Sequence, residues 1–233
     1  RNFHYYLCRQ LKGGGMEISM KVLITGFDPF GGAAVNPAYE AVKLLPDELG
    51  GNEIIKKEIP TVFGKDEEVL RKAIEEYSPD AVICVGQAGG RSGMTVEKVA
   101  VNLMEARIPD NAGNQPFDVP VKEDGETAYF AKLPVKRMVQ AMKDHQIPAR
   151  VSYTAGTFVC NDIMYRLLYM IDREYPKMLG GFIHVPYCPE QVLELPDGTP
   201  SMSVEMISDA LKYAIEAICG DADEIKVAMG ETE

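Results

Sequence analysis

Short apolar runs alternate with longer stretches of helical period along this chain, and their order predicts its architecture. Residues 21–26 (Lys-Val-Leu-Ile-Thr-Gly) are apolar, partly β-branched and closed by glycine, the pattern of a buried strand. After the loop Phe27-Asp28-Pro29-Phe30-Gly31-Gly32, Asn36-Pro37 supplies a capping amide and a proline suited to a first helical turn, predicting a helix over 39–44. Residues 52–60 alternate as a strand. Over 66–77, Val69, Leu70, Ala73, Ile74 and Tyr77 share one helical face behind leading acidic residues, and Ser78-Pro79 stops that helix. Residues 80–86 read as another buried strand, 95–103 as a strand by alternation, and 108–120 as a polar loop. The spacing then predicts a helix over 127–145, a strand over 150–154, a helix over 160–175, a strand over 181–187 and a helix over 203–219. The last carries the stripe Val204, Ile207, Leu211, Ile215 and Ile218 and stops at Gly220. Strands alternating with helices predict an α/β fold, a three-layer sandwich around a largely parallel twisted sheet, in one domain over 20–233. Residues 1–19 precede the first strand signal and are expected to be a disordered leader or upstream extension.

Composition narrows the function classes. With 46% apolar and 25% charged residues, and no run approaching the roughly 18 uninterrupted apolar residues of a membrane span, the chain reads as a soluble protein without a membrane partner. A formal net charge of -11 with scattered basic residues argues against nucleic acid. The five cysteines form no CxxC pair and no zinc-type cluster with histidine, so neither a metal site nor a disulfide framework is expected. That usage, and the lack of a signal-peptide-like apolar run near the start, points to the cytosol.

In folds of this class, sites gather where strands give way to helices. Three such junctions are rich in polar and glycine residues: 26–36, 86–93 and 155–161. The run Gly86-Gln87-Ala88-Gly89-Gly90 matches neither the P-loop nor the dinucleotide fingerprint, and a tight turn explains it better than a phosphate cradle. Histidine is scarce. His4 lies in the leader and His145 at a polar helix end, whereas His184 interrupts the apolar run Gly-Phe-Ile-His-Val-Pro-Tyr. It is either a general base or a core imidazole with a hydrogen-bond partner. Among the cysteines, Cys8 is in the leader, Cys84 packs within Val-Ile-Cys-Val, and Cys219 falls at a helix C-terminus. Cys160 falls at a helix N-terminus, whose partial positive charge favours a thiolate, and is the best nucleophile candidate, with Cys188 a distant second. Glu97 alternates with Val99, Val101 and Leu103; by its residues alone it reads more readily as an edge glutamate paired with Lys98 or solvent than as an orienting carboxylate.

At these residues the chain resembles the pyroglutamyl peptidase type I family of cysteine peptidases. The resemblance runs from about residue 20 onward and is carried by Thr-Gly-Phe-Asp-Pro-Phe-Gly-Gly at 25–32, Val-Gly-Gln-Ala-Gly-Gly-Arg at 85–91, Ala-Arg-Ile-Pro-Asp-Asn at 106–111, Ser-Tyr-Thr-Ala-Gly-Thr-Phe-Val-Cys-Asn at 152–161 and Gly-Gly-Phe-Ile-His-Val-Pro-Tyr at 180–187. It implies a phosphorylase/hydrolase-like fold, a triad of Glu97, Cys160 and His184, and Arg107 at the oxyanion. It further implies that Phe27, Phe30, Asn36, Thr61, Gln87, Ile108, Phe158 and Val159 surround a pyroglutamyl ring. The implied substrates are peptides with N-terminal pyroglutamate, no cofactor or metal is implied, and a homo-oligomer, commonly a tetramer, is. Met94-Thr-Val-Glu-Lys departs from the family's usual Ile-Thr-Pro-Glu-Arg, and Cys188 stands where an aliphatic residue is common. Two other readings stay open at this point: a nucleoside phosphorylase-like transferase, and a silent binding protein of the same fold.

Overall fold

A computed structural model describes residues 19–220 and 224–229. The expected leader lies outside the described residues up to position 18, and with it His4 and Cys8. Among the described residues nine strands and five α-helices follow in order: β1 (Lys21–Phe27), α1 (Pro37–Lys43), β2 (Glu48–Leu49), β3 (Asn52–Ile59), α2 (Lys65–Tyr77), β4 (Ala81–Gln87), β5 (Met94–Glu97), β6 (Val99–Val101), β7 (Ala128–Phe130), α3 (Val135–Asp144), β8 (Ala149–Ser152), α4 (Val159–Arg173), β9 (Leu179–Val185) and α5 (Val204–Cys219). The predicted Asn36 cap is present: its side chain accepts from the Ala38 N–H, and Pro37 opens the helix. Ser203 caps α5 in the same way, accepting from the Met206 N–H.

Seven strands form one mixed sheet in the order β2-β3-β1-β4-β9-β5-β8. The strands β3, β1, β4 and β9 run parallel. Between β9 and β5 the direction reverses, and β8 runs parallel to β5. Helices cover both faces. Along β9, a Cβ on Gly180 would lie 2.4 Å from Ile171 of α4, whereas one on Gly181 would lie 2.8 Å from Leu133, just before α3. Successive strand residues point to opposite faces, so α4 and α3 lie on opposite sides of the sheet. α1, α5 and α3 pack in a row on one side, and α2 packs on α4 on the other. The core fills both interfaces with Val22, Leu23, Ile24, Val82, Ile83, Val85, Phe182 and Ile183 from the central strands. No described helix is long and apolar enough to cross a membrane.

Two predicted elements differ from the structure. The strand expected over 95–103 breaks at Lys98: its N–H donates to the Ser152 carbonyl in the main sheet, while its own carbonyl accepts from Ala131 N–H beside a separate two-stranded sheet, β6–β7. Glu97 is therefore the last residue of β5, and its continuous face with Val99, Val101 and Leu103 is interrupted. The helix expected over 127–145 starts only at Val135, because Pro134 fixes its own φ and disfavours helical geometry at Leu133, leaving Ala128–Phe130 to pair with β6.

Close approach between layers fixes where the loops begin. Gly26, next to last in β1, faces α1, and a Cβ there would stand 2.6 Å from Tyr39 Cα and 2.7 Å from its backbone N. Backbone atoms cannot rotate away. Gly26→Ala is therefore expected to lower stability by about 1–3 kcal/mol in urea unfolding, as overpacking does; an unchanged midpoint would mean that α1 is free to move.

Candidate active site

The site is built where the sheet changes direction. In the antiparallel pair β5–β9, Thr95 lies opposite His184 and Glu97 opposite Phe182, so all four side chains rise from the α4 face. His184 Nδ1 lies 2.7 Å from Glu97 Oε1, with both groups buried. An Nδ1–H donated to the carboxylate leaves Nε2 unprotonated and able to accept a proton. Burial pushes the imidazole below its ordinary value, outweighing the opposing pull of Glu97. For Glu97, burial alone would push the carboxyl up, but the hydrogen bonds from His184 and Arg91 and the partial charge of the imidazole hold it below the usual carboxylate range.

Cys160 is the second residue of α4, as its position at a helix start predicted. A Cβ on Gly86 would lie 2.9 Å from Cys160 Sγ and 2.7 Å from the Phe182 ring. Gly86 pairs in register with His184 across β4 and β9, and residues in register share a face. The thiol thus sits over the strand position paired with His184, because residue 86 has no side chain. The expected thiolate is not the resting form. Burial first, and the Glu97 carboxylate second, push the thiol up to about 12, while Arg91 pulls it down. The partial positive charge of a helix N-terminus does not outweigh these effects, so the thiol rests neutral.

Loops from three elements wall the approach. Phe30 and Phe158 rings lie 6.3 Å apart, and Phe63 meets Phe158 edge-on at 5.4 Å. Phe27 packs against Phe182 at 6.5 Å, and Phe182 against His184 at 4.7 Å. The Asp28 carboxylate accepts from both the N–H and the hydroxyl of Thr61, each at 2.7 Å, and from Asn111, whose amide also reaches the Pro29 carbonyl. Asn36 donates to the Asp28 carbonyl while capping α1, so Asn36 and Thr61 shape the loop with their polar atoms already engaged. Gln87 accepts from Gln191, which leaves its amide N–H groups to face outward. Val159 is buried beside the thiol, whereas Ile108 and Arg107 lie exposed on their loop. Among the described residues the exposed Arg107 side chain makes no hydrogen bond or ion pair. Phe63, Phe182, Asn111 and Arg91 were not singled out in the sequence; Phe182, Asn111 and Arg91 lie within its long motifs, and Phe63 does not.

The remaining candidates fall elsewhere. The turn after β4 folds back on the protein: Ala88 N–H donates to the Val185 carbonyl, and the Tyr187 ring covers Gly89 so closely that a Cβ there would be 2.1 Å from it. It is a packed turn rather than an open anion cradle. His145 is exposed and stacks on Tyr213 with ring centroids 3.6 Å apart. Cys84 and Cys188 are buried, and Cys219 is half-buried with its thiol pushed up by burial to about 11. Among the described residues no group of three or more His, Cys, Asp or Glu could hold a metal ion.

Beneath the thiol, the first turns of α2 and α4 meet through two buried carboxyls. Asp162 Oδ2 accepts from the Gly64 N–H and from Arg166 Nε, and Asp66 Oδ1 accepts from the Glu67 N–H. The other two oxygens, Asp66 Oδ2 and Asp162 Oδ1, are buried without a donor from any other group, and each carboxyl acts on the other. That contact needs a proton. Burial and the negative charge of Asp162 push Asp66 well above the carboxylate range, so Asp66 carries it.

A half-buried thiol at a helix start, on the same sheet face as an imidazole oriented by a buried carboxylate, supplies the parts of a cysteine hydrolase. Comparison with known proteins makes the class specific. The sequence profile of the family described as pyroglutamyl peptidase matches residues 20–221. A pyrrolidone-carboxylate peptidase of Enterococcus faecalis is 62% identical over 213 residues, covering 91% of this chain and 100% of that protein. The crystal structure of pyroglutamyl peptidase I from Bacillus amyloliquefaciens superposes with a TM-score of 0.87 at 51% identity, covering 91% of this chain and 100% of the other. A mutant pyrrolidone carboxyl peptidase from the hyperthermophile Pyrococcus furiosus gives a TM-score of 0.82 at 44% identity over 85% of this chain and 98% of that one. The chain belongs to the pyroglutamyl peptidase family, a family of cysteine-type hydrolases.

The shared proton yields a stability test. A carboxyl whose folded pKa is raised stabilises the fold fully below the unfolded carboxylate value and loses that contribution as pH rises through the folded value. Asp66→Asn keeps a donor toward Asp162 but has no proton to lose. In urea unfolding from pH 4 to pH 8 the variant is expected to gain on wild type with rising pH, by about 1–2 kcal/mol across the range. A difference independent of pH would show that no proton is shared.

Proposed function

We propose that this chain hydrolyses the amide bond after an N-terminal pyroglutamyl residue, through a thioester on Cys160. The observation that carries the proposal is the buried Glu97–His184 pair, hydrogen-bonded at 2.7 Å, on the same face as the Cys160 thiol. His184 Nε2 takes the thiol proton as sulfur attacks the pyroglutamyl carbonyl, and the tetrahedral adduct expels the peptide amine, which receives that proton. Water, activated by the same nitrogen, then cleaves the thioester and frees pyroglutamate. As a first-turn residue Cys160 has a backbone N–H without an intrahelical acceptor, free to bind the oxyanion. Arg107 would complete that site, as the resemblance of the chain to its family implies.

The substrate follows from the walls. A cyclised N-terminus has no ammonium and needs no carboxylate to receive it. The aromatic surfaces of Phe27, Phe30 and Phe158, with Ile108 and Val159 at the margins, suit a flat neutral lactam, and the Gln87 amide supplies polar contact to it. Asn36 and Thr61 hold the loop that carries these rings. A charged, uncyclised glutamate would be left unpaired there. The same reading assigns the catalytic domain to 20–233, a cytoplasmic location and a homotetrameric assembly, supported by the resemblance of the chain to its family.

Release of a fluorescent amine from a pyroglutamyl amide tests the assignment. Wild type is expected to be active, and Cys160→Ser, folded normally by circular dichroism, to lose at least about a thousandfold in kcat, as removal of a nucleophile does. Equal rates in the two proteins would remove Cys160 from the mechanism, and an inactive, folded wild type would defeat the peptidase reading.

A further inference from the structure

Arg91 enters the site from the turn after β4 and has no role in the mechanism described above. Its Nη1 lies 2.6 Å from Glu97 Oε1 and 2.5 Å from Thr95 Oγ1, and its Nη2 donates to the Thr154 carbonyl at 3.2 Å. The Glu97 oxygen it binds is the one that accepts from His184, while Oε2 is buried without a donor. One carboxylate oxygen thus sits between a fixed cation and the imidazole.

We propose that Arg91 is a positioning residue for the reaction: it fixes the Glu97 carboxylate and offsets its charge, so that His184 rests neutral with Nε2 open to the Cys160 proton. The inference rests on the triad assignment above and deepens it. A desolvated carboxylate hydrogen-bonded only to an imidazole favours the imidazolium, which cannot act as a base, and its field also opposes a developing thiolate. A guanidinium on the same oxygen counters both effects, because the Arg91–Glu97 pair is neutral overall. The direction agrees with the charges acting at the site: Arg91 lowers both His184 and Cys160, and Glu97 raises both. The other groups near the thiol are the Asp66 carboxyl of α2 and the Cys84 thiol of β4, which oppose the thiolate only when ionised; with Asp66 protonated and Cys84 a thiol, neither carries a charge there. Arg91 is the cation that faces both groups. Its anchors reinforce the geometry, since Thr95 lies opposite His184 in the sheet and Thr154 belongs to the loop leading to α4. The guanidinium ties strand, base and nucleophile loop to one carboxylate.

The test compares Arg91→Gln, which keeps donors but loses the charge, with Arg91→Lys, which keeps the charge, using two pH profiles. One is kcat/KM on a pyroglutamyl amide; the other is the rate of Cys160 alkylation by iodoacetamide, read by mass spectrometry of the Cys160 peptide, which needs no substrate. In Arg91→Gln the acid limb of both profiles is expected to move up by about one pH unit, so that kcat/KM below the limb falls about tenfold with KM nearly unchanged. In Arg91→Lys both limbs stay within about 0.3 unit of wild type even where kcat is lower. A folded Arg91→Gln with an unmoved alkylation limb overturns the proposal. If that variant does not fold, Arg91→Lys alone decides: a limb that stays supports the charge role, and a limb displaced by a full unit overturns it. Should wild type fail to cleave the amide while the alkylation limb still moves with Arg91, the substrate reading fails and the role of Arg91 stands.

Discussion

A carboxylate and an imidazole 87 residues apart in the chain meet where the main sheet reverses direction between β9 and β5. Placing a carboxylate there without a partner would cost several kcal/mol of lost hydration, so the site is stable only with its cationic and hydrogen-bonding neighbours in place. Those neighbours come from different parts of the fold: His184 from the parallel half of the sheet, Arg91 from a turn, and the backbone of Lys98 dividing its hydrogen bonds between two sheets just beyond Glu97. The antiparallel junction is what lets a short strand end on Glu97 within reach of a strand that runs the other way.

The nucleophile is governed by the same economy of charge. Its helix supplies a favourable dipole, yet burial and the nearby carboxylate hold the thiol neutral until a base accepts its proton. A resting neutral thiol suits a buried site in which a permanent thiolate would add a second negative charge beside Glu97 and above the Asp66–Asp162 pair. In the proposed reaction the cost of desolvation is deferred to the moment of attack, when the proton would move to His184 and the negative charge pass on to the substrate oxygen.

The cysteine and histidine were legible in the sequence because each is scarce and only one of each falls at a strand or helix end facing the right way. Glu97 was not. Its alternation with Val99, Val101 and Leu103 suggested one continuous strand, and nothing local reveals that Lys98 leaves one sheet for another. Phe182 acts through strand register, Arg91 through its side-chain hydrogen bonds from a turn to Thr95, Glu97 and Thr154, and Asn111 through a loop contact to Asp28, and such long-range pairings leave no periodic trace. The late start of α3 is a different kind of miss: Pro134 marks the boundary in the sequence, and the apolar spacing upstream belongs to β7. The parallel half of the sheet was read correctly from its short apolar runs. The reversal was not, because a strand in a covered sheet shows the same composition whichever way it runs.

Gly86 carries a consequence for how this protein is able to vary. The gap between β4 and the Cys160 sulfur is closed to anything larger than a hydrogen atom, and the Phe182 ring closes it from the second side. Most buried positions trade volume with a neighbour, so that a larger residue at one is absorbed by a smaller one nearby. Here the neighbour on one side is the reacting atom itself, which has no smaller substitute that keeps the chemistry. The position is therefore cut off from the compensating exchanges by which cores drift, and a lineage that placed a methyl group there would have to reseat a whole helix before it could react again.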